Sequence, residues 1–195
     1  MRIWCDTANL DEIREWDQHP WVSGFTTNPT LIKTSGTKIQ DLINTTKKDI
    51  SIDGLDSGYY SYSPHVLQKL CVLVAGSMPE RRMRTNWTAV CSVMQVRRII
   101  PSPGDVISVF AGRIMDTGRD PQPVIDAAKQ TGVQVLWASV REPYNITQAE
   151  QAGCDIVTVS PAILTKWLAW NGKPLEVVAA ETIAQFDRDR EGMWT

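Results

Sequence analysis

The stretch Gly24-Phe25-Thr26-Thr27-Asn28-Pro29-Thr30-Leu31-Ile32 decides how this chain is read. An apolar β-like run ends in two threonines, Asn28-Pro29 follows, and apolar residues then resume. The residue before a proline is held extended, and proline itself suits the first position of a helix. A strand that ends in hydroxyl and amide groups just before a helix presents those groups at the rim of a sheet. That rim is where α/β proteins keep their chemistry.

Further apolar runs lie on either side, at Arg2–Cys5, Ser23–Thr26, Asp49–Ile52, within Val66–Ala75, and at Trp87–Cys91, Val106–Phe110, Val133–Ala138 and Asp155–Val159. Several are apolar on consecutive residues rather than alternating, as in strands buried on both faces beneath covering helices. Helix starts fall between them. Asn9-Leu10-Asp11-Glu12 has the form of a capping box, and Ser160-Pro161 places a capping side chain before a proline. Thr147-Gln148-Ala149-Glu150 reads as the opening of a helix that Gly153 closes.

Alternating strands and helices of this number predict an α/β fold, a closed (β/α)8 TIM barrel. An open doubly wound sheet is the alternative, weakened because no Gly-rich loop follows the first strand. At 195 residues the chain is short for such a barrel, for which about 250 residues is typical. The shortening falls around strands three to five. The segment from Gly54 to Arg84 opens with the turn-rich Asp56-Ser57-Gly58-Tyr59-Tyr60-Ser61-Tyr62-Ser63-Pro64, so at least one outer helix is expected to be reduced. Residues 1–195 are read as a single barrel domain, with residues 175–194 forming an amphipathic C-terminal helix.

Twenty basic residues against twenty-two acidic ones give a net charge of −2, so nothing in the charge balance points to nucleic acid or a membrane surface. No apolar run approaches the ~18 residues of a membrane span. Cys5, Cys71, Cys91 and Cys154 are scattered without a C-x-x-C pair, which argues against a metal site or a disulfide framework. The amino terminus lacks the layout of a signal peptide, and a cytoplasmic location with reduced thiols is the expectation.

In a barrel the polar residues at the carboxyl ends of the strands are the ones to weigh. They are Asp6, Thr27, Asn28, Asp53, Asn86, Thr88, Ser108, Arg113, Ser139 and Arg141, with the aromatic Phe110 beside Ser108 on strand six. Such a ring can relay protons, and its guanidinium groups can grip a phosphate bidentately. Each residue also has a plain structural reading. Asp6 could cap the helix near Asn9, Asn28 could form an Asx-turn, Asp53 could serve the turn at Gly54, the arginines could form surface ion pairs, and Phe110 could be packing.

Trp4-Cys5-Asp6-Thr7-Ala8-Asn9 and Thr26-Thr27-Asn28-Pro29-Thr30-Leu31 resemble the first two strand ends of the transaldolase family, in its small transaldolase and fructose-6-phosphate aldolase branch. Arg84-Thr85-Asn86-Trp87-Thr88-Ala89 is similar to the family's fifth strand, and Ile107–Arg113 with Asp116-Thr117-Gly118 to its sixth. Ala138-Ser139-Val140-Arg141 and Ala152–Thr158 resemble the seventh and eighth. The resemblance implies class I aldol transfer of a dihydroxyacetone unit between sugar phosphates, without metal or cofactor, in a homo-oligomer. Asp6 would be the acid–base residue, and Asn28 would orient the Schiff-base intermediate. Asp53 would stand where the family carries Glu, with Thr88 near the partner that holds a catalytic water. Asn86 and Ser108 would bind sugar hydroxyls, with Thr27 and Phe110 completing the substrate surface. Arg113, Ser139 and Arg141 would hold the phosphate.

The family's strand-four lysine is matched in two ways. Aligning Val72-Leu73-Val74 with the family's apolar run puts Ala75 at the lysine position, Lys69 on a preceding outer helix, and no nucleophile on the strand. Aligning His65-Val66-Leu67-Gln68-Lys69-Leu70-Cys71 puts Lys69 in place instead, with Cys71 where the family has proline. Lys33, on the helix after Asn28, is a third and weaker candidate. The alternative implied function is a homologue that binds sugar phosphates without turning them over.

Overall fold

The computed structural model describes residues 1–52, 69–75 and 82–191, and at 69–75, 82 and 83 it describes the backbone alone. Eight strands close into a barrel in sequence order: β1 (Arg2–Asp6), β2 (Val22–Thr26), β3 (Asp49–Ile52), β4 (Lys69–Ala75), β5 (Arg82–Val90), β6 (Val106–Val109), β7 (Gln134–Trp137) and β8 (Ile156–Val159). The seam is formed by β1 and β8, which pair in parallel from Arg2↔Ile156 to Cys5↔Val159. The (β/α)8 expectation holds, with one strand reversed. β4 runs antiparallel to both neighbours, with Ile50 opposite Val74 on one side and Lys69 opposite Thr88 on the other. A parallel crossover needs about a dozen residues or more, and residues 76–81 do not supply them between Ala75 and Arg82. That reversal also extends β5 back to Arg82, well before the expected Trp87, because the ladder with β4 runs its full length.

The outer layer of the barrel unit consists, among the described residues, of α1 (Leu10–Asp17), α2 (Pro29–Ser35), α3 (Ile39–Thr45), α4 (Val93–Val96), α5 (Ala111–Asp116), α6 (Gln122–Lys129), α7 (Tyr144–Gln151) and the start of α8 (Pro161–Trp170). Asn9, not Asp6, caps α1: its Oδ1 accepts from the Asp11 and Glu12 amides. The return half of the capping box is relayed, since the Thr7 hydroxyl donates to Glu12 and accepts from the Asn9 amide. α7 starts at Tyr144, one turn earlier than Thr147. The Asn145 side chain accepts from the Arg141 and Glu142 amides there and holds the entry to the helix. Gly153 closes α7 at φ +73° as expected.

Trp4, Val106, Leu136, Ala138 and Ile156 fill the barrel interior, and Phe110 packs against them. Gly24 makes room for this core, because a Cβ there would lie 2.6 Å from the Trp4 ring. Trp4 and Trp137 are core residues, at 1% and 2% exposure. Asp53, the turn-rich 56–64 run and residues 192–194 of the expected terminal helix lie outside the described residues.

The chain divides into two compact units, Met1–Leu164 and Thr165–Thr195. The second contains α9 (Leu175–Arg190). Within it Lys173 pairs with Glu181 at 2.8 Å and lies 4.6 Å from the centre of the Trp170 ring. No described helix is long and apolar enough to cross a membrane.

Candidate active site

A cleft of about 720 Å³ opens at the carboxyl ends of the strands. Asp6, Thr27, Asn28, Asn86, Thr88, Ser108, Phe110, Arg113, Ser139 and Arg141 all line it, although they come from five different strands and the loops beyond them. Lys33 is exposed on α2 and is not among the lining residues. No group of three or more His, Cys, Asp or Glu among the described residues could hold a metal ion.

Two buried hydrogen-bonded chains form the floor. In the first, the Thr26 hydroxyl donates to Asp6 Oδ1 at 2.6 Å and lies 2.5 Å from the Thr158 hydroxyl. Thr26 has one proton and gives it to Asp6, so Thr158 is the donor to Thr26. In the second, Ser108 donates to Asn86 Oδ1 at 2.7 Å, and Asn86 Nδ2 donates to Ser51 Oγ at 2.9 Å. Burial pushes the Asp6 carboxyl above its ordinary value, and the Thr26 bond pulls it partly back. The carboxyl is thereby brought nearer to neutrality, where one group can both take and return a proton.

The remaining lining residues divide between fixed and adjustable groups. Thr27 is fixed: its amide and hydroxyl both donate to Ser51 O, at 2.9 and 3.0 Å. Asn28 caps α2, its Oδ1 accepting from the Leu31 amide at 3.0 Å. The carboxamide is thus held with Nδ2 as the group it can offer to a ligand. The Asx reading and the site reading of Asn28 are therefore compatible. Arg113 lies 5.4 Å from the centre of the Phe110 ring, so Phe110 both packs on the core and carries a guanidinium. Arg141 pairs with Asp116 at 2.6 Å, with both side chains about half exposed. A pair that exposed is worth about 0–1 kcal/mol, so Arg141 can exchange it for a ligand anion at little cost.

Ser139 sits at φ +66°, a left-handed conformation that non-glycine residues seldom adopt. Gly112 on α5 lies against it, and a Cβ there would fall 1.7 Å from the Ser139 carbonyl oxygen. The close approach of α5 to the β7 end is what brings Ser139 and Arg141 to the same rim as Arg113.

Lys69 is the first residue of β4 and the ladder partner of Thr88, a residue of the cleft wall. Lys69 is therefore in a strand and not in an outer helix. Ala75 is at the other end of β4, paired with Arg82.

Sequence reasoning did not single out Thr158, Ser51 or Ala89, and it read Ser160 as a helix cap and not as a cleft residue. The strand alternation that puts Asp6 inside the barrel also puts Thr26, Ser51 and Thr158 there. That period was the available signal for the floor.

The fold and the cleft together define an α/β barrel whose polar carboxyl-end mouth combines a half-buried acid, amides, hydroxyls and two guanidinium groups. A model of the transaldolase/fructose-6-phosphate aldolase family matches residues 3–77 and 71–193, and the chain belongs to that family. The two matched stretches meet in β4. The chain is 28% identical to a probable transaldolase of Nitrosopumilus maritimus, over 86% of this chain and 87% of that one. It is also 28% identical to a probable transaldolase of Carboxydothermus hydrogenoformans, over 87% and 91%. One from Brevibacillus brevis is 29% identical over 87% and 91%.

Proposed function

We propose that this protein carries out class I aldol transfer, moving a dihydroxyacetone unit between sugar phosphates through a Schiff base on Lys69. The observation that carries the reading is the cleft, which holds the half-buried Asp6 carboxyl, Asn28, the Asn86–Ser108 pair and both arginines. In this scheme the Lys69 amine adds to the ketone carbon, and loss of water leaves an iminium. Asp6 takes the proton of the hydroxyl beside the bond that breaks. The electron pair of that bond flows into the iminium, giving an enamine and releasing an aldose phosphate. The enamine then attacks the carbonyl of a second aldose phosphate, Asp6 returns the proton, and water frees the product from Lys69. Asn28 would orient the intermediate, Asn86 and Ser108 the hydroxyls, and Arg113, Ser139 and Arg141 the phosphate. Thr88, together with Asp53, would hold water. Membership of the family and the Lys69↔Thr88 register support the choice of lysine.

One observation favours a second reading. β4, the strand that would carry the nucleophile, runs against its neighbours, and a homologue that binds sugar phosphates without turnover would fit that. Borohydride reduction in the presence of fructose 6-phosphate, followed by peptide mass mapping, separates the two. A reduced adduct on Lys69 establishes the transfer enzyme. Fructose 6-phosphate binding without an adduct on any lysine establishes the binding protein.

A cytoplasmic homo-oligomer is part of the same proposal. Leu175, Ile183 and Phe186 of α9 are 79%, 61% and 62% exposed, an apolar set that self-association would cover. Sedimentation of the full chain as a monomer would remove that part.

A further inference from the structure

The wall of the cleft beside Lys69 contains an irregularity in its strand pairing. β5 pairs regularly with β6 at Asn86↔Val106 and Trp87↔Ile107, but the next pair is Val90↔Val109. Thr88 and Ala89 thus stand opposite one residue of β6, which is a β-bulge. A regular strand turns successive side chains to opposite faces. Here the consecutive residues Thr88 and Ala89 both line the cleft, while Val90 is fully buried. Ala89 accomplishes this at φ +57°. Ala89 and Ser139 are the two described non-glycine residues at positive φ, and both belong to the cleft.

Left-handed backbone at alanine costs about 1–2 kcal/mol and persists only where surrounding groups enforce it. The enforcing group is visible. Gln95, on α4, donates from Nε2 to the Ala89 carbonyl at 3.2 Å, and its Oε1 accepts from the Cys91 amide at 2.8 Å. The Ser92 hydroxyl also donates to Oε1, at 3.2 Å, and the Cys91 N–H, which can only donate, fixes which way the amide points. One carboxamide therefore grips the backbone on both sides of Val90. Ser92 accepts in turn from the Gln95 amide, so the clamp is built into the N-terminal box of α4.

We propose that Gln95 is a positioning residue for the cleft: its carboxamide holds the β5 bulge so that Thr88 and Ala89 both face the ligand. It touches no ligand itself. The sugar phosphate used as a probe below rests on the proposed function, but the bulge does not.

Gln95→Glu removes the donor to Ala89 while keeping the acceptor. Glutamate keeps the acceptor for Cys91 and Ser92 and still completes an S-x-x-E box, but a carboxylate has no proton for the Ala89 carbonyl. In the ligand-free protein the Ala89 Cα and Cβ chemical shifts and its amide coupling constant report φ directly. They are expected to move away from left-handed values in Gln95→Glu and further in Gln95→Ala. Affinity for fructose 6-phosphate should fall about tenfold, the loss of one net hydrogen bond, while affinity for inorganic phosphate on the arginines changes less than twofold. Adding Ala89→Gly to Gln95→Ala should restore most of the loss, because glycine takes positive φ without steric cost. Unchanged Ala89 shifts in both Gln95 variants would overturn the proposal. So would equal losses for fructose 6-phosphate and phosphate with no rescue by glycine. If the native protein binds no sugar phosphate the proposed function fails, and the Ala89 shifts alone then decide the role of Gln95.

Discussion

The mouth of the barrel has two unlike arcs. From β6 through β8 to β2 the strands are parallel, and their strand-end residues line one side of the cleft. Asp6, Thr26 and Thr158 form its floor, and Phe110, Arg113, Ser139 and Arg141 form its rim. From β3 to β5 one strand is reversed, its exit is the 76–81 link, and the wall is a bulge held from behind by Gln95. The first arc bears the groups that would grip an anion and move a proton, and the second bears the strand that would supply an amine. The two capacities rest on different parts of the chain, so they can be lost or altered separately.

Substitutions can break that separation from either side. Lys69→Met should abolish borohydride trapping altogether and leave fructose 6-phosphate affinity nearly unchanged, read by mass mapping and calorimetry. A lysine adduct surviving elsewhere would move the nucleophile off the reversed strand. Arg141→Ala should act in the opposite way. It should weaken phosphorylated ligands about 10- to 100-fold, the loss of a charge-assisted hydrogen bond, with little effect on dihydroxyacetone. Equal losses for both ligands would contradict the phosphate assignment.

Gly112→Ala tests how rigid the first arc is. Its Cβ meets a backbone carbonyl, and overpacking of that kind costs about 1–3 kcal/mol. Melting should show the loss of stability, accompanied by weaker phosphate binding as Ser139 and Arg141 shift.

Asp6→Asn is the mildest change and tests the floor. Burial raises the folded-state Asp6 pKa above its unfolded value. The contribution of Asp6 to stability is therefore present below the unfolded pKa and lost as pH rises through the folded one. At pH 7 the asparagine variant should be the more stable protein, with the higher Tm. The gap should close as pH falls toward 4, and a pH-independent gap would dismiss the buried charge as its cause.

Much of the first arc was legible in the sequence because its signals are local. Asn28-Pro29 marks a strand end, Gly112-Arg113 follows an apolar run, and alternation along each strand tells inside from outside. The second arc was less legible for physical reasons. Val72-Leu73-Val74 has the same composition in either direction, and only the length of the following link sets its sense. Lys69 was read in one alignment as helical because the apolar run begins after it, yet the ladder with β5 extends to Thr88. Ser92-Val93-Met94-Gln95 could have been read as a capping box. The bulge could not, because alanine is not a residue that announces positive φ.

The reversed strand also bears on the order in which the barrel assembles. β4 and β5 meet at Ala75↔Arg82 across a short link, so closing that loop costs the chain little entropy. The β1–β8 seam joins Arg2 to Ile156 and costs far more. Hairpins form in about 1–10 μs, and contacts distant in sequence form late. The hypothesis is that the barrel nucleates on its irregular side, with the strand that departs from the pattern among the first to form. Pulse-labelled hydrogen exchange would show amides of residues 70–74 protected before those of β1. Protection in the reverse order would place the nucleus in the regular arc.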